Sequence, residues 1–244
     1  MKLVVNADDF GYTPAVTYGI VDAYKNGIVT STTMMCNSPF MDHAVELAKM
    51  NPDLGVGVHL VLTSRAPLSE KVPSLVDLNG DFYHQSEIFE HAKEEDIEKE
   101  WTAQIERFLS SGLKPTHLDS HHNVHGHPTA FPVVIRLASK YGLPIRNVLN
   151  DKFDYGSVRT TDSMLRQFYG EKVSYETLEE QLKMVAAKRQ TAEINCHPGY
   201  IDGELKQQSS YVDTRNVEYS ILTSERIKDL ARNLNISFST YSTI

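Results

Sequence analysis

The chain has 244 residues, 41% hydrophobic and 23% charged, a balance that fits a globular protein with an ordinary core and excludes a disordered chain. Its 24 Lys and Arg face 32 Asp and Glu, giving a net charge of -8 with no basic cluster. A nucleic-acid partner is therefore not expected, because affinity for phosphate backbones comes from cations that neutralise them.

Short β-branched runs alternate with amphipathic stretches along the chain. The first run, 3–6, reads as a strand. No basic region and long apolar run precede it, so no signal peptide is expected. A helix follows over 15–26, started by Pro14 and closed by Gly27 as a left-handed cap. Strands are predicted at 29–36 and 54–60, then an irregular segment over 63–93. The helix at 94–111 repeats Ile97, Trp101, Ile105 and Phe108 at helical spacing. A strand at 116–120, a helix at 129–141, a strand at 145–148 and a helix at 175–188 behind Ser174 continue the alternation. A strand at 192–197, a second irregular segment at 198–222, a helix carrying Ile227, Leu230, Ala231 and Leu234, and a strand at 236–241 complete it.

Strict alternation implies a parallel sheet with right-handed crossovers, and about seven strands suggest a distorted (β/α) barrel. With no linker or repeat, one domain over 1–244 is expected. The motif after the first strand, Asn6-Ala7-Asp8-Asp9-Phe10-Gly11, lacks the glycines of a dinucleotide loop. Cys36 and Cys196 offer no disulfide framework and read as buried thiols. No stretch of about 18 apolar residues crosses a membrane, so a soluble cytoplasmic protein is expected. A homodimer is the default on base rates.

Ten histidines are the compositional oddity, and five of them lie between positions 117 and 127. In a parallel barrel the active site forms where strands end. Those ends carry Asp8-Asp9, Cys36-Asn37, His59, Asp119-Ser120-His121-His122, Arg146 and His197. Adjacent carboxylates can divide labour, one binding a metal while the other faces water, although a pair of aspartates also caps helices. His59 reads equally as a ligand or as a hydrogen-bonded strand residue. Two or three members of the 117–127 cluster suit a divalent ion, with the others orienting them or remaining solvated. His197 suits a general acid, and Arg146 can hold an aspartate ionised.

The ordered set Asn6–Gly11, 27–33, Gly57-Val58-His59, 116–122 with Val124-His125, and Cys196-His197-Pro198 resembles the YdjC-like carbohydrate deacetylases, the family of chitooligosaccharide deacetylase. The resemblance spans 3 to about 242. It implies a distorted (β/α) barrel related to polysaccharide deacetylases, and hydrolysis of an N-acetyl group from an amino sugar or short chitooligosaccharide. It also implies one divalent ion, Mg²⁺ or Zn²⁺, on Asp9, His59 and His121, with Asp8 as base, His197 as acid and Arg146 as partner of the base. His117, Asp119, His122, His125 and Asn37 remain candidates for orienting ligands or touching substrate. Asn123 and Gly126-His127 depart from the pattern beside the metal motif, which leaves substrate range open. Two other readings compete: a metal-dependent phosphoester hydrolase, and a non-catalytic metal-dependent sugar-binding protein.

Overall fold

The computed structural model describes residues 2–148, 153–188 and 190–244. In chain order it contains β1 (Lys2–Phe10), α1 (Pro14–Asn26), β2 (Ser31–Met35), α2 (Met41–Lys49), β3 (Gly55–Leu60), α3 (Ile88–His91), α4 (Glu94–Ser110) and β4 (Leu118–Ser120). The second half holds α5 (Phe131–Tyr141), β5 (Ser163–Leu165), α6 (Tyr175–Lys188), β6 (Thr191–Cys196), α7 (Gly203–Gln208), α8 (Asp213–Leu222), α9 (Glu225–Asn233) and β7 (Ser237–Phe238).

The strands form one parallel, curled half-barrel in the order β4-β3-β2-β1-β6-β5, and β7 pairs with the start of β1. β1 is the central strand. Eight of its nine residues are buried, as expected where helices cover both faces of a parallel sheet. The ladder sets His59 level with Asp119 and with Met35, so residues distant in sequence share one end of the sheet. Local chemistry agrees with the helix that follows: Thr13 caps α1 by accepting from the Val16 amide at 3.3 Å, and Pro14 opens its first turn.

Several expectations change. The strand predicted at 145–148 is reduced to a single bridge between Ile145 and Leu118, and β5 takes the place beside β6 instead. Arg146 therefore does not stand on a regular strand, and its side chain is completely buried. The last strand shrinks to two residues. Gly27 is not left-handed, with φ -126°; it is needed because a Cβ there would lie 2.6 Å from the Leu222 carbonyl oxygen. The segment 198–222, read as irregular, contains α7 and α8, whose polar sequence hides its buried face. Helix α2 was absent from the predicted elements.

Candidate active site

At the carboxyl ends of the strands lies a cavity of about 590 Å³, lined by Asp8, Asp9, His59, His121, His197 and Arg215 among others. Neighbouring residues of a regular strand point to opposite faces, so Asp8 and Asp9 need a special backbone to reach one cavity. The β1–β2 register shifts between Ala7 and Phe10, and Asp9 adopts φ 72°. A left-handed aspartate is a costly conformation held by its surroundings, and here it turns the second carboxylate inward.

Three elements bring donors to Asp9. Its Oδ1 lies 3.3 Å from Nε2 of His59, on β3, and 2.9 Å from Nδ1 of His121, just after β4. Arg215, on α8, donates from Nη2 to Oδ2 at 2.6 Å. Burial alone would raise the Asp9 carboxyl, but Arg215 and His121 hold it well below the usual carboxylate range. Behind His59, Asp119 accepts at 2.7 Å from Nδ1 and also receives the Thr33 hydroxyl at 2.9 Å. Burial works against a charged His59, yet Asp119, with Asp9 and Asp8, pushes its pKa up to about 10.

These residues fit a divalent cation on structural grounds. Asp9, His59 and His121 each offer one ligand atom, all within 4.8 Å of one another. Asp119 fixes one proton of His59 on Nδ1, and the pKa raised to about 10 keeps a second on Nε2, facing Asp9, in the place that a bound cation would take. Two acceptors at that distance require a proton or a cation between them. The buried carboxylates of Asp8, Asp9, Asp119 and Glu193 also outnumber the guanidinium groups of Arg146 and Arg215.

Asp8 is held differently. Arg146 grips it with both terminal nitrogens, at 2.8 Å to Oδ2 and 2.6 Å to Oδ1, and donates Nε to Glu193 at 2.8 Å. Tyr241 in turn donates its hydroxyl to Glu193. Nε2 of His197 lies 3.8 Å from Asp8 Oδ2. Burial pushes the His197 pKa down to about 4 despite Asp8, so the ring is neutral at pH 7 in the free protein. Glu218 of α8 accepts the His197 amide and the Tyr211 hydroxyl, each at 2.5 Å, and burial raises its carboxyl to about 8.

The remaining candidates separate. His122 lines the cavity and contacts the Thr63 hydroxyl at 2.9 Å. His117 lies away from the cavity lining, stacked on Tyr241 at 4.0 Å, and burial lowers its pKa to about 3. His125 is also buried, bonded to Ser120 Oγ at 2.5 Å. Asn37 ties down the loop after β3, donating to the carbonyls of Ser64 and Ala66. Asn123 faces the cavity and accepts from Arg146 at 3.4 Å, while His84 also lines it. Sequence reasoning missed Arg215, Glu218 and Tyr211. The signal was the spacing of Arg215 and Glu218 by three ahead of buried Ile221 and Leu222, one helix face inside a charged segment.

The chain belongs to the YdjC-like protein family. The family match covers residues 2–233. Carbohydrate deacetylase of Geobacillus stearothermophilus is 45% identical over 238 residues, covering 98% of this chain and 96% of the relative. Carbohydrate deacetylase of Enterococcus faecalis is 46% identical over 256 residues, covering 100% and 98%. A crystal structure from Enterococcus faecalis V583, provisionally described as a cellobiose-phosphate cleavage protein, superposes with TM-score 0.96 at 45% identity over 99% of this chain and 98% of that one. The Xyl-CE4 domain of a Trinervitermes trinervoides hindgut-metagenome xylanase shares the fold alone, with TM-score 0.54 and 11% identity over 99% of this chain and 88% of that one.

Proposed function

We propose that this YdjC-like chain is a metal-dependent carbohydrate N-deacetylase that releases acetate from an acetylated amino sugar or short chitooligosaccharide and leaves a free amine. The observation that carries the reading is the meeting, in one cavity, of an arginine-held aspartate, a three-donor cluster and a half-buried imidazole. The deacetylase relatives support the same chemistry.

Asp9, His59 and His121 would hold the divalent ion, which when bound polarises an amide carbonyl and makes water more acidic. Asp8, fixed by the Arg146 fork, accepts the proton of the attacking water. His197 is neutral in the resting enzyme, and its Nε2, 3.8 Å from Asp8 Oδ2, receives that proton once the two close to hydrogen-bond distance around bound substrate. Donation from His197 to the departing nitrogen then breaks the C–N bond and yields acetate and amine. Proton uptake and delivery balance within the site, and no protonated histidine is required at the outset.

The phosphoester-hydrolase reading is weaker. A second donor group, Asp8, His59 and Asp119, exists, but Arg146 already places Nη2 at 2.6 Å from Asp8 and 2.9 Å from Asp119. A guanidinium in that position fills the place a second ion would take. Incubation with N,N'-diacetylchitobiose, with and without a chelator, tests the proposal. Acetate release that a chelator abolishes is expected; a protein inert toward N-acetylated sugars but active on phosphoesters would overturn it.

A further inference from the structure

Tyr169 follows β5 and lines the cavity with 49% of its surface exposed. One face of its ring is covered by Tyr211, with centroids 4.7 Å apart and planes 2° from parallel. Tyr211 is itself fixed, donating to Glu218 and accepting the Gly170 amide at 3.1 Å. His197 meets both rings edge-on, 5.3 Å from Tyr169 and 5.4 Å from Tyr211. Tyr12, also in the cavity wall, is only 3% exposed, with Arg65 and Arg215 lying over its ring.

We infer that the uncovered face of Tyr169 is a platform on which a pyranose ring of the substrate stacks, presenting its amide nitrogen to His197. This rests on the deacetylase reading. A pyranose has a face of C–H bonds that gains both apolar burial and attraction to the negative face of an aromatic ring. A rigid ring backed by a second ring orders little on binding, so most of the contact energy is retained. Hydroxyl groups at the sugar edge meet the polar wall formed by Arg166, Asn195 and Gln208. The edge contact with His197 ties the platform to the reacting centre rather than to a remote subsite.

The test is calorimetric titration of N,N'-diacetylchitobiose, in the presence of zinc, into Asp8→Asn protein carrying Tyr169, Tyr169→Phe or Tyr169→Leu, with kinetics in the otherwise native chain. Leucine keeps bulk against Tyr211 but removes the flat polarised face. Tyr169→Leu is expected to weaken binding and raise KM about tenfold with kcat little changed, while Tyr169→Phe stays within about twofold. A purely structural Tyr169 would instead lower kcat by displacing Tyr211 and His197. If the native enzyme cleaves the sugar and the leucine variant keeps its KM and affinity, the platform is overturned and the deacetylase reading stands. If the native protein neither binds nor cleaves it, both fall.

Discussion

Arg215 and Asp9 are separated by 206 positions, yet the guanidinium donates to the carboxylate at 2.6 Å in a buried contact. One oxygen of Asp9 is thereby committed to α8, leaving the other to face His59 and His121. Helix α8, the second helix after the last site strand, thus helps set the charge of the donor cluster.

Replacing Arg215 with methionine leaves a buried carboxylate without its cation. Breaking a buried pair in this way costs about 3–5 kcal/mol, so the metal-free variant should melt well below the parent. A divalent ion on Asp9 supplies the missing charge, and the deficit should shrink when zinc is added. Thermal melts with zinc and with chelator check this; an equal deficit in both would refute the compensation.

Asp8 and His121 should separate chemistry from metal binding. Asp8→Asn removes the proton acceptor and is expected to lower turnover about 10³-fold while the ion still binds. His121→Ala removes a ligand and should lose the ion. Acetate release and metal content measured on the same preparations decide the matter, and an Asp8→Asn enzyme of near-native rate would exclude Asp8 as the base.

Glu218 predicts a pH dependence of stability. Its folded pKa of about 8 exceeds the ordinary 4.5, so between those values the folded chain binds more protons than the unfolded one. Its stabilising contribution is complete below the ordinary value and is lost as pH rises through about 8. Glu218→Gln cannot ionise, so its unfolding free energy relative to the parent should rise between about pH 5 and about pH 9. Denaturant titrations at the two pH values measure the slope, and parallel behaviour of the two proteins would contradict it.

Gly57 explains a small residue inside β3. A Cβ there would lie 2.5 Å from His117 Nδ1 and 2.7 Å from the His117 carbonyl oxygen. His117 is pinned by Tyr241 stacked on its other side and has little room to withdraw. Gly57→Ala should destabilise the chain by about 3 kcal/mol through overpacking. A variant that unfolds at the parental denaturant concentration would show that His117 can move.

Alternation of β-branched runs and amphipathic helices was enough to specify a parallel α/β sheet, because those periods follow from backbone geometry alone. Pairing was less legible. The run at 145–148 has strand-like composition, but only Ile145 finds a sheet partner, and β5 pairs in its place.

Sequence by itself determined which chemical groups stand at the strand ends: Asp8, Asp9, His59, Asp119, His121 and His197. Residue type and strand register are local properties. Only the tertiary structure decided which histidines reach the cavity, sending His122 to its wall and burying His117 and His125 away from it. It also supplied Arg215, Glu218 and Tyr169. Their neighbourhoods are polar and carry no strong hydrophobic period, and their partners are fixed by how α8 and the segment after β5 fold back over the sheet. The surplus of histidines was visible from composition, but long-range packing sets the partners of the buried ones.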